Sequence, residues 1–176
     1  MRQNREIIAM RMRSVSRGFT IVELIIVVAI IAIAAMIAVP MISSASSVQL
    51  RSAANMIAAD LEYAKSMAIS RQRMYAVVFN EAAESYQIED ANEVIDHPVK
   101  KGFKYVVDFS NDSRLDKVNI VDADFDTTNE IKFDYLGSPY NGGGNPLNSG
   151  TIDLRAGGTT ATISVEPITG FISISD

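Results

Sequence analysis

Hydrophobic positions follow three regimes along the chain. From Phe19 to Val39 the residues are apolar except Thr20 and Glu23. As a helix that run spans roughly 30 Å, about one hydrocarbon core. From Leu50 the pattern becomes a stripe. Leu50, Ala54, Ile57, Leu61, Ala64 and Ala68 recur at helical spacing, with Arg51, Asp60, Glu62 and Lys65 off the stripe. No Gly or Pro lies between Met41 and Tyr75. The two regimes predict one long helix from about residue 20 to 72, bent near Pro40, where a proline removes a helical hydrogen bond.

Beyond Arg73 the period shortens to two. Tyr75–Phe79 and Ser85–Glu89 read as a hairpin around Asn80–Glu84. Phe103–Phe109, Val118–Val121 and Glu130–Leu136 are further strand candidates. Ile152 and Leu154 alternate with Asp153 and Arg155; Ala161, Ile163 and Val165 alternate with Thr162 and Ser164; Ile172 and Ile174 alternate with Ser173 and Ser175. Turns are expected at Gly157-Gly158 and Thr169-Gly170. The class is α+β, a long N-terminal helix packed on a C-terminal antiparallel sheet domain. The expected organisation is a leader at 1–18, a membrane helix at 19–39, its continuation at 40–73 and a β domain at 74–176.

Charge divides the same way. Arg2, Arg5, Arg11, Arg13 and Arg17 against Glu6 give residues 1–18 a side-chain charge of +4, so the formal −5 of the whole leaves −9 for the rest. A basic leader keeps the N-terminus cytoplasmic by the positive-inside rule. An acidic remainder argues against nucleic acid as a partner, because phosphate binding needs Lys and Arg. With no Cys and a single His, a disulfide framework and a thiolate metal site are both excluded.

Three readings compete for residues 19–39. A cleaved secretory signal would use Ser44-Ala45-Ser46 as its small-residue site, but the apolar run is long for that purpose. A plain signal anchor fits the length and leaves Glu23 unexplained. A carboxylate inside a membrane segment calls for a partner or a function, which is the third reading. Arg17-Gly18-Phe19-Thr20-Ile21-Val22-Glu23-Leu24, the apolar helix and Pro40 together resemble the N-terminal signature of type IV pilins and type II secretion pseudopilins. The resemblance implies that a prepilin peptidase cuts between Gly18 and Phe19 and N-methylates Phe19. It also implies that Glu23 meets the N-terminal amine of a neighbouring subunit and sets its register. Snorkelling or protonation of Glu23 near the interface is the plainer alternative. Met10 and Met12 are alternative starts; Met12 would leave a shorter basic leader.

Later motifs narrow the family. Leu61-Glu62-Tyr63-Ala64-Lys65-Ser66-Met67-Ala68-Ile69-Ser70-Arg71, Phe133-Asp134-Tyr135-Leu136-Gly137 and Ile168-Thr169-Gly170-Phe171-Ile172 resemble the GspH/FimT group of minor pilins and pseudopilins. Some members bind DNA through basic C-terminal residues. Here the end is Phe171-Ile172-Ser173-Ile174-Ser175-Asp176, and that role does not carry over.

Other candidates for chemistry are weak. Asp122-Ala123-Asp124-Phe125-Asp126 suggests calcium, but Thr127 and Phe133 stand where a helix–loop–helix calcium loop needs Gly and Glu, so a solvated acidic loop is expected. His97 has no second His or Cys to join. The Asn141–Gly150 stretch lacks the Lys-Ser/Thr of a phosphate cradle and reads as an exposed, flexible β–β connection. No base-and-orienter set appears, so no enzyme and no cofactor is expected. The expected role is a structural minor pseudopilin of a type II secretion filament. Its partners would be other pseudopilins, the prepilin peptidase and the inner-membrane assembly platform. A type IV minor pilin and a membrane-anchored binding module that never polymerises are the alternatives.

Overall fold

The computed structural model describes residues 19–91 and 93–175, without the side chains of 37–45. The chain divides into two compact units, Met1–Val39 and Pro40–Asp176. Helix α1 covers Ile21–Arg71. The bend expected at Pro40 falls on a residue whose side chain lies outside the description.

In the first unit every described side chain from Phe19 to Met36 is exposed. Among the described residues no helix is long and apolar enough to cross a membrane. The run expected to span 19–39 is described with side chains only as far as Met36.

In the second unit the stripe on α1 is the floor of the core. Leu50, Ala53, Ala54, Ile57, Leu61, Ala64 and Ala68 are all buried. The alanines let sheet side chains come close to the helix backbone. The helix ends in a Schellman arrangement: Gln72 is left-handed (φ 54), and the Arg73 N–H returns to the Ala68 carbonyl at 3.3 Å.

Among the described residues ten strands follow, in two antiparallel sheets. The larger has the order β3-β2-β1-β6-β7, with β4 also paired to β2. Its members are β1 (Tyr75–Asn80), β2 (Ser85–Asp90), β3 (Glu93–Val94), β4 (Val106–Asp108), β6 (Glu130–Phe133) and β7 (Pro139–Asn141). The smaller has the order β10-β9-β8-β5, from β5 (Asn119–Phe125), β8 (Gly150–Ala156), β9 (Thr159–Val165) and β10 (Ile172–Ser175). The register Val77↔Ile88 and Phe79↔Tyr86 turns the apolar residues of the first hairpin to one face. Ile152↔Ile163 and Leu154↔Ala161 do the same in the second sheet. Both faces join one core with α1.

Several expected boundaries move, each for a local reason. The 103–109 strand shrinks to Val106–Asp108, because Lys104 bridges to Asp96 and the Tyr105 N–H bonds the Ile95 carbonyl. The 130–136 strand stops at Phe133. Asp134 Oδ1 accepts the Leu136 and Ser138 N–H groups, and Gly137 turns at φ 82. The acidic stretch is not a loop: β5 runs through Asp122 to Phe125, with Ala123 and Phe125 inward and Asp122 and Asp124 outward. A bulge between Ile120 and Asp122 sets that phase. Nor is 141–150 a loose connection. Asp126 accepts the Asn148 and Ser149 N–H groups, the Leu147 N–H bonds Pro139, and Leu147 is buried.

Candidate functional site

The sequence-predicted site lies at the start of α1. Thr20 precedes the helix, and its Oγ1 accepts the Glu23 N–H at 3.2 Å; its carbonyl accepts the Leu24 N–H at 3.1 Å. Thr20 is therefore the N-cap and Glu23 the third helical residue, the spacing of a capping box. Phe19 and Leu24 hold the two positions of a hydrophobic staple around it. Glu23 also places its carboxylate in the first turn, where the helix dipole favours negative charge. Sequence reasoning singled out Glu23 for its charge and missed Thr20, although the Thr-x-x-Glu pattern was legible. Gly18 lies outside the described residues. Phe19 is 74% exposed, and α1 from Leu24 to Met36 is apolar on all sides. An apolar surface of that extent needs lipid or protein around it.

A second cluster was not foreseen. Asp60, off the apolar stripe of α1, accepts hydrogen bonds from the Tyr86 hydroxyl at 2.6 Å and the Tyr105 hydroxyl at 2.8 Å. Both tyrosines are buried. Burial raises the Asp60 pKa above its ordinary value, against the lowering effect of the two hydroxyls. Burial and the neighbouring carboxylate raise both tyrosine hydroxyls in turn. Tyr105 is stacked between Tyr63 of α1 (centroids 5.6 Å) and His97 (4.6 Å). His97 Nδ1 accepts the Val99 and Lys100 N–H groups at 3.1 Å each, so the imidazole holds a turn. The cluster ties the residue 95–105 excursion to α1. Asp60, His97 and Tyr105 also line an open pocket together with Lys100, Asp112 and Arg114.

Among the described residues no group of three or more His, Asp or Glu gathers to hold a metal. Asp124 is engaged by the Thr127 N–H, and Asp126 by Asn148 and Ser149. The carboxylates of Glu84 and Glu81 accept the N–H groups of Ile120 and Ala123 along the outer edge of β5.

A capped apolar helix followed by a stripe of alanines under two antiparallel sheets defines the class of type IV pilin-like subunits. Comparison with known proteins agrees. Residues 13–39 match the prokaryotic N-terminal methylation motif, and residues 53–169, more than half of the chain, match the type II transport protein GspH. The protein belongs to the GspH family of pilin-like minor subunits. The minor pseudopilin EpsH from the type 2 secretion system of Vibrio cholerae shares the fold at 9% identity (TM-score 0.51), over 72% of this chain and 96% of that one. The type IV minor pilin FimU of Pseudomonas aeruginosa aligns over 72% of this chain and 93% of its own, at 19% identity and a TM-score of 0.47. No curated protein matches the chain.

Proposed function

We propose that this protein is a structural minor pseudopilin of a type II secretion filament. In this reading a prepilin peptidase cleaves between Gly18 and Phe19 on the cytoplasmic face and methylates the new amine of Phe19. Residues 19–39 hold the subunit in the inner membrane before assembly, with the β domain in the periplasm. During assembly the apolar helix exchanges lipid for neighbouring helices, and Glu23 pairs with the N-terminal amine of an adjacent subunit. Other pseudopilins and the assembly platform are the partners.

The observation that carries the reading is the placement of Glu23. It sits in the first turn of α1, whose residues from Leu24 to Met36 are exposed and apolar, four residues from the expected new amine. A cation and a carboxylate in a low-dielectric setting each stabilise the other's charged form. Mass spectrometry of the mature N-terminus is the test. A chain beginning at N-methylated Phe19 is expected; an intact leader, or a cut near Ala45, overturns the proposal. The type II assignment predicts loss of protein secretion when the chain is removed; loss of pili with secretion intact would assign it to a type IV pilus.

A further inference from the structure

Most strand edges in the second unit are closed. The Glu81 and Glu84 carboxylates cover the outer edge of β5. The outer edge of β7 is occupied by the turn that follows it, where the Leu147 N–H reaches the Pro139 carbonyl and the Asn141 N–H the Asn145 carbonyl. β3 has only two residues and β4 only three. β10 differs. It ends the smaller sheet, paired on one side with β9, and among the described residues no backbone group of Ser173–Ser175 has a partner outside β9.

Natural edge strands are guarded by Lys, Pro, a bulge or inward charge. Ile172-Ser173-Ile174-Ser175 has none of these, and its pairing with β9 is regular. Ile172 and Ile174 lie opposite Val165 and Ile163, on the core face, yet Ile174 remains 39% exposed at the margin. The margin of the core at Ile174 is thus open to solvent. The turn leading into β10 adds a second, independent observation. Ile168 is left-handed (φ 67) and 83% exposed, and Phe171 is 60% exposed. A β-branched residue in that conformation is strained, and an exposed one recovers nothing from packing within its own chain.

We infer that β10 pairs with β10 of a second copy of this chain, antiparallel across a two-fold axis. The sequence is self-complementary for that arrangement. With Ser173 opposite Ser173, each Ile172 faces the partner's Ile174 on the core side, and each Phe171 faces the partner's Ser175 on the other. A one-residue slip would set isoleucine against serine and is disfavoured. The contact is isologous and closed, pairing two subunits rather than extending a chain of them. It needs neither Phe19 nor Glu23, so it stands or falls apart from the assembly reading above.

The absence of Cys makes the test direct. The full-length Ser173→Cys protein, in its native membrane, is oxidised and compared with Val99→Cys, an exposed position on a different surface. A disulfide-linked dimer at least fivefold more abundant for Ser173→Cys is expected. Adding Ile174→Lys should reduce it at least fivefold while protease resistance of the β domain is retained. Equal yields at the two positions overturn the proposal, as does cross-linking of Ser173→Cys only to a different protein. Should Ile174→Lys lose protease resistance, Ser175→Lys replaces it; an undiminished dimer in that variant also refutes the pairing.

Discussion

Removing the Asp60 carboxylate tests whether the buried cluster holds the domain together. Hydrogen bonds to a charged group are worth about 1.5–3 kcal/mol each, and Asp60 accepts two. Asp60→Ala would also strand the hydroxyl of the fully buried Tyr86. Against this, the variant no longer keeps an ionised carboxylate in a site that disfavours it. The net loss expected is about 2–4 kcal/mol, or a Tm lower by about 6–12 °C for a chain of this size. Asp60→Asn retains one acceptor and should lose about half as much. The pH dependence has a definite sign. The folded-state pKa is raised above the ordinary 3.8, so the native state holds the proton more tightly than the unfolded one. The stability linked to Asp60 is fully present below 3.8 and is lost as pH rises through the raised folded value. The wild type should therefore lose stability relative to Asp60→Asn as pH rises across that interval. With no Trp in the chain, tyrosine fluorescence and near-ultraviolet circular dichroism follow urea unfolding of the detergent-solubilised protein. A loss under about 0.5 kcal/mol for Asp60→Ala, set against the per-bond range above, would refute the reasoning.

Other predictions test separate parts of the fold. Thr20→Ala should cost about 1 kcal/mol of helix-end stability, seen as faster hydrogen exchange at the Glu23 amide; unchanged exchange would remove Thr20 from the N-cap. Gly170→Ala places a Cβ 2.8 Å from the Gly137 carbonyl at φ 60, whereas Gly102→Ala meets open space at φ 84. The first should cost about 2–4 kcal/mol and the second about 1, and a reversed order in thermal unfolding would count against the packing described. The Arg114 guanidinium beside Asp112 lowers that carboxyl to about 2. NMR titration of Arg114→Ala should find it raised part of the way to the ordinary carboxylate range, since the residue 114 N–H still donates to Asp112, and an unmoved midpoint would assign the lowering to another group. In the wild type the small stability this pair adds is present above the ordinary 3.8 and lost as pH falls through about 2.

The sequence was most readable where a period repeats. The Leu50–Ala68 stripe announced a helix with a buried face, and its residues line the core. The strict alternations at the C-terminal end announced three strands. Charge misled where it competed with alternation. Asp122 and Asp124 suggested a loop, while Ala123 and Phe125 between them marked a strand with one polar face. Asp60 was invisible as a site for a different reason. Its partners lie 26 and 45 residues away in the chain, and the distance closes only when β2 and the 95–105 excursion fold onto α1. The role of Glu84 as a lid for β5 was hidden likewise, because a carboxylate beside a turn looks like solvated surface until the opposing strand is placed.

The stack of Tyr63, Tyr105 and His97 has a practical corollary. It anchors the 95–105 excursion at its base, where Tyr105 also bonds Asp60, and at the tip a Cβ on Gly102 would meet open space. An insertion at Lys101-Gly102 therefore lies beyond the turn that His97 holds and leaves strand order and core in place. That tip is the place to insert an epitope or fluorophore and watch single subunits in living cells.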